Sequence, residues 1–184
     1  SRGLGDVYKR QGVKKEIFDK VGGFGSLRHG QDIELSNRII NENAKVKLLE
    51  DVIVYHRRRT TLMQFFRQVF NWGVARINLS KIDGKMLQII HFLPSLATLL
   101  TILVLVGWIF YPILFIPYII TGFLALCFIC IYGGFKTKSF LVTAYLFLVI
   151  PFQVFGYGLG FIIAFIKRFI FGQKLFTGFQ KKYY

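Results

Sequence analysis

The chain has 184 residues, of which 54% are apolar, and a formal net charge of +15 at pH 7. No formal charge occurs from Met86 to Phe135 or from Ser139 to Ile166, and all nine acidic residues lie at or before Asp83. This segregation excludes a single soluble domain with charge mixed along its length, and it reads as a polar N-terminal portion joined to a bilayer portion.

Basic residues flank the apolar runs, with Arg57-Arg58-Arg59 before them and Lys167-Arg168 and Lys181-Lys182 after them. That placement suits anionic lipid headgroups, which attract each Lys or Arg near the surface by about 1 kcal/mol. No motif with interleaved bases and aromatics points to nucleic acid.

Residues 1–11 read as an adapter scar, because Asp6-Val7-Tyr8-Lys9-Arg10-Gln11 matches one translated frame of a transposase-end adapter. On that reading the native sequence begins near Gly12; the alternative is an ordinary flexible N-terminus. A short helix is predicted over Lys14–Val21, where Ile17, Phe18 and Val21 share a face. Gly22-Gly23-Phe24-Gly25 ends it, glycine supplying the left-handed turn that other residues resist. A second helix follows from about Asp32 to Asn43, with Glu34 and Arg38 as an i, i+4 pair expected on its exposed side.

Lys45–Leu49 alternates as a half-buried strand does, and Val52–Tyr55 is a second strand candidate across a Glu50-Asp51 turn. Thr60 or Thr61 is placed to cap a further helix reaching about Leu79. Its apolar face (Leu62, Phe65, Phe66, Val69, Phe70, Trp72), with Arg67, Asn71 and Arg76 elsewhere, suits the membrane interface; packing against a neighbouring domain is the plainer alternative.

The uncharged run Met86–Phe135 holds fifty residues, where one span takes about 20. Two spans are therefore predicted, at 89–110 and 113–134, turning at Tyr111-Pro112 with Trp108, Tyr111 and Tyr118 near an interface. A third, 140–166, contains Pro151 and Gly156, Gly158 and Gly160, where Gly156-x-x-x-Gly160 marks either close helix contact or a kink. Cys127 and Cys130 lie within the second span and read as packing residues. With the N-terminal portion cytoplasmic, Lys136 and Lys138 obey the positive-inside tendency, whereas three spans leave the basic tail 167–184 outside. Either the third segment is re-entrant or the tail is an exception.

Asp32 opens a helix on the side that carries Leu35 and Ile39. It reads as an N-cap, or as a general base facing a cleft. Phe18-Asp19-Lys20-Val21-Gly22-Gly23-Phe24 followed by Gly30-Gln31-Asp32-Ile33-Glu34-Leu35 resembles the distal half of the catalytic domain in family 2 glycosyltransferases. The membrane-bound enzymes of bacterial exopolysaccharide assembly, succinoglycan-type transferases among them, are the nearest in pattern. The family usually has Glu-Asp where this chain has Gln31-Asp32, and the resemblance makes Asp32 the base that deprotonates the acceptor hydroxyl. His29 and Gly30 are assigned to acceptor binding on the same ground.

Gln68-Val69-Phe70-Asn71-Trp72 is similar to the family's Gln-x-x-Arg-Trp motif, which implies that Gln68 and Trp72 contact the acceptor. An indole face suits a sugar ring, and an amide suits hydroxyls. Asn71 stands where the motif has arginine, which points to single-sugar transfer rather than processive synthesis. The stretch Val54–Arg59 resembles a strand end in these enzymes; it implies His56 as a metal ligand and Arg57, Arg58 and Arg59 as contacts for a diphosphate or for lipid headgroups.

The resemblance therefore implies an α/β fold, the distal part of a GT-A-type catalytic domain (12–59), then an interfacial helix and linker (60–85) and a membrane domain of three spans (86–166). It implies an inverting transferase of the bacterial inner membrane, multi-pass, with its catalytic part cytoplasmic. The donor is a nucleotide-sugar, the acceptor a lipid-linked saccharide, and the cofactor Mg or Mn. The Asp-x-Asp motif that holds this metal in the family does not occur in the chain, so most ligands are expected in a missing upstream part, without which the chain is expected to be inactive. A non-catalytic basic membrane anchor or assembly partner is the alternative function. A channel or transporter fits less well, because the spans contain no acidic or basic residue but His91 near an end.

Overall fold

The computed structural model describes residues 12–45, 47 and 61–179. The chain divides into two compact units, Ser1–Arg59 and Thr60–Tyr184.

In the first unit, α1 spans Lys15–Lys20 and α2 spans Gln31–Asn41. The chain leaves α1 through Gly22 and Gly23, both with positive φ (77° and 67°), as the paired glycines predict. The Gly23 amide returns to the Phe18 carbonyl at 2.9 Å, and the Phe18 ring lies edge-on to Phe24 at 5.6 Å. Leu27, Leu35 and Ile39 are buried, and Glu34 is buried with them.

Glu34 corrects the expectation of an exposed pair. Its carboxylate grips Arg38 at 2.7 Å and 2.8 Å, and Arg38 also donates to the carbonyls of Val21 and Gly23. The pair faces inward because the glycine turn presents carbonyls that no helix satisfies, and a guanidinium has enough donors to meet them and Glu34 together. Gly25 makes room for it: a Cβ there would lie 2.7 Å from the Glu34 Oε2.

The α/β expectation is overturned. Every regular element among the described residues is helical, with no strand and no sheet. Of the two predicted strands, only Lys45 and Lys47 fall among those residues, and neither is in a strand; Val52–Tyr55 lies outside them. Period-two alternation is a local pattern, whereas a strand satisfies its backbone only through a partner strand, and helices satisfy theirs alone.

In the second unit, α3 spans Leu62–Ser80, and Thr61 Oγ1 caps it by accepting from the Gln64 amide at 3.3 Å. Two tight turns at Gly84–Met86 and Ile89–Phe92 lead to α4 (Leu93–Phe110), α5 (Pro112–Thr137) and α6 (Phe140–Phe165). A wide π-turn, Ile166–Ile170, ends α6. Three segments are long and apolar enough to cross a membrane: Ile89–Phe110, Pro112–Thr137 and Phe140–Ile170. Pro112 opens α5 at the position where a missing N–H costs nothing, so the break falls where the sequence predicts it.

Ile113 is 91% exposed and Phe140 85%, and much of the surface of α4 and α5 is bare Leu, Ile and Phe. Such a surface suits lipid as its solvent. The chain is therefore a membrane protein by the length and composition of these helices.

The core of this unit lies between α3 and α6, with Phe70, Val74, Ile77, Phe161 and Ala164 buried together. The two helices run parallel, Phe66 meeting Phe152 near one end and Lys81 meeting Phe169 near the other. Glycines bring them close. A Cβ on Gly160 would lie 2.1 Å from the Phe70 carbonyl, and one on Gly73 would lie 2.3 Å from that of Tyr157. Gly156 faces Phe66, whereas Gly158 faces the other way, onto Thr98 and Pro94 of α4. Of the two readings of the glycine spacing, close helix contact is the one the structure adopts.

Candidate functional site

Asp32 is the second residue of α2, half-buried, and Gly30 occupies the N-cap with φ 84°. The capping position is thus filled by backbone in a left-handed conformation that glycine adopts without strain. Asp32 lies inside the helix, in its first turn. Among the described residues no side chain ion-pairs with it, and its backbone carbonyl accepts from Ser36 Oγ at 2.6 Å. Gln31 turns back to the Gly25 carbonyl at 3.4 Å, and His29 is half-buried in the loop before the cap. The Glu34–Arg38 bridge ties this loop to α2, so the cap, His29 and Asp32 are held on one small framework.

Gln68 and Trp72 belong to the second unit, one turn apart on α3. Trp72 is 46% exposed, so its indole face is available for contact, and Gln68 is half-buried. Arg76 continues the same stripe one turn further on and lies beside the Tyr157 hydroxyl of α6.

Asn71 faces another way, and its partner was not evident from the motif. Its Nδ2 donates to the Phe179 carbonyl at 3.0 Å, and its Oδ1 accepts from the Phe179 amide at 2.9 Å. Asn78, two turns along, donates to the Phe176 carbonyl at 2.8 Å and accepts from Arg168 Nη1 at 2.6 Å. The segment 171–179 is thereby strapped along α3, with the Phe70 and Phe179 rings 4.8 Å apart. Gly178 is required there, since it has φ 65° and a Cβ would lie 2.4 Å from Asn71 Oδ1. The residue that departs from the arginine of the resembled motif is therefore a clamp. A visible signal was the pair of asparagines seven apart on a largely apolar helix.

His56 and Arg57, Arg58 and Arg59 lie outside the described residues. Among the described residues no three His, Cys, Asp or Glu side chains are grouped to hold a metal ion. Cys127 and Cys130 are free thiols one turn apart on α5, consistent with packing.

Compared with family models, residues 9–171 match glycosyl transferase family 21. The chain belongs to that family. No curated protein and no solved structure matches it. The family 21 match spans both the Asp32 helix and the Gln68–Trp72 helix, and it supports glycosyl transfer as the function. It supports family 21 where the motifs resemble family 2, and glycosyl transfer is the common ground of the two.

Proposed function

We propose that this family 21 chain carries the acceptor side of an inverting glycosyltransferase, moving a sugar from a nucleotide-sugar onto a lipid-linked saccharide in exopolysaccharide or cell-surface glycan synthesis. The observation that carries the proposal is Asp32: a half-buried carboxylate at a helix start, ion-paired by no described residue. In this reading Asp32 takes the proton of an acceptor hydroxyl, whose oxygen attacks the anomeric carbon. The bond from that carbon to the nucleoside diphosphate breaks, and the leaving group departs with its electron pair. Arg57, Arg58 and Arg59 are the proposed partners of the diphosphate or of lipid headgroups, and His56 of a divalent metal. His29, Gly30, Gln68 and Trp72 are the proposed acceptor contacts, with the Trp72 indole stacking on a sugar ring.

A lipid-linked acceptor fits three apolar helices that keep the chain in the bilayer. The bacterial inner membrane, with the Asp32 unit cytoplasmic, is the corresponding proposed location, and anionic lipids are the surrounding partners.

The test is transfer of radiolabelled sugar from nucleotide-sugar donors to lipid extract, in membranes carrying the full-length protein. Asp32→Asn is expected to lower turnover by a factor of about 100 or more while donor binding persists, within the usual range for loss of a general base. Turnover equal to the unsubstituted protein would remove Asp32 from the mechanism.

A further inference from the structure

Where α3 and α6 end side by side, Lys81, Lys167 and Arg168 gather, with Asp83 the one acid close in sequence to that end. Lys81 Nζ sits 3.8 Å from the centre of the Phe169 ring, and Lys167 Nζ sits 4.3 Å from that of Phe176. Arg168 donates to Asn78 at 2.6 Å, while its Nε is buried with no hydrogen-bond partner. The two ion pairs found among the described residues, Lys20–Glu42 and Glu34–Arg38, both lie in the first unit.

The negative ends of α3 and α6, about half a unit each, and the Asp83 carboxylate answer only part of the three positive charges. The turn that bears Lys167 and Arg168 is also a π-turn, a rare widening that recurs at functional sites. Its position adds a direction. Phe140–Ile170 contains 31 residues, about 46 Å of helix at 1.5 Å per residue, against roughly 30 Å of hydrocarbon. The segment must tilt or project, and three cations at its end suit headgroup depth rather than acyl chains.

We propose that the turn Ile166–Ile170 and the facing end of α3 bind the phosphodiester headgroup of an anionic membrane lipid. Arg168 bonds the phosphate oxygens, Asn78 orients that guanidinium, and Lys81 and Lys167 supply the remaining charge. A guanidinium matches phosphate geometry. The inference rests on the reading of these helices as membrane helices and not on the sugar chemistry.

Native mass spectrometry of the full chain in neutral detergent, titrated with phosphatidylglycerol, phosphatidylcholine or inorganic phosphate, tests it. Phosphatidylglycerol is expected to remain bound where phosphatidylcholine does not. Arg168→Gln should weaken that binding about fivefold, the equivalent of roughly 1 kcal/mol per cation. Lys81→Gln with Lys167→Gln provides a second variant if the arginine substitution disturbs folding, and it should weaken binding at least as much. Equal retention of the two lipids, or unchanged phosphatidylglycerol binding in both variants, overturns the proposal. Displacement by millimolar inorganic phosphate also overturns it, by marking a site for a free anion. Tight, unselective retention of both lipids would sink the headgroup site but leave the membrane reading standing, whereas a chain soluble without detergent would sink that reading itself.

Discussion

The two units hold their polar groups by opposite means. In the first, a buried carboxylate anchors an arginine that gathers the loose carbonyls of a glycine turn. In the second, the α3–α6 contact relies on glycines that let backbones touch, and on asparagines that clamp a strap. Solvent accounts for the difference. A unit facing water gains from burying apolar side chains, and it can spend some of that gain on desolvating an ion pair. Helices facing lipid gain little from burying one more leucine, so close approach and dispersion must supply the contact.

The comparison breaks most readily at the glycine contact. Gly160→Leu should cost about 3 kcal/mol, the upper end for overpacking, because the clash is with the Phe70 backbone and no side-chain rotation relieves it. Thermal stability of the detergent-solubilised protein checks this; a midpoint within a degree of the parent would mean that α3 and α6 are not in close contact. In the first unit, Glu34→Ala should cost a comparable or slightly smaller amount, about 3 kcal/mol, since it strands a partly buried guanidinium. Hydrogen exchange at the amides of α2 should accelerate while α6 stays protected, and protection unchanged in α2 would dismiss the bridge as structural.

The smallest effect belongs to the strap. Asn71→Ala removes two exposed hydrogen bonds, each worth about 0.5–1 kcal/mol. Limited proteolysis after residue 171 should become faster with little change in overall stability. No change in cleavage would show that Phe179 is held by its ring contacts with Phe70 and Arg67 instead.

The legible and illegible parts divide along the same physical line. The glycine turn at Gly22-Gly23, the cap at Thr61 and the start of α5 at Pro112 were all predictable. Each is set by the steric preferences of one or two residues. The inward face of the Glu34–Arg38 pair was not predictable from the helical wheel, because a wheel cannot show the carbonyls of Val21 and Gly23, seventeen and fifteen residues from Arg38. The strand expectation failed for a related reason. Alternation at Lys45–Leu49 says what a strand would bury, but not whether a second strand exists to bond it. At the candidate site, Asp32 as a helix-start acid could be read directly, whereas the displacement of the cap to Gly30 needed the backbone angles.

Charge-free length alone dictates that three segments of this chain suit a bilayer, because desolvating a charge is so costly that its absence over about 20 residues is informative without any neighbour. Asn71 shows the converse. Whether it meets an acceptor or clamps a strap depends on a segment 108 residues further along, brought to it by the packing of α6 against α3. Composition is a property a residue carries with it; a hydrogen-bond partner is conferred by the fold.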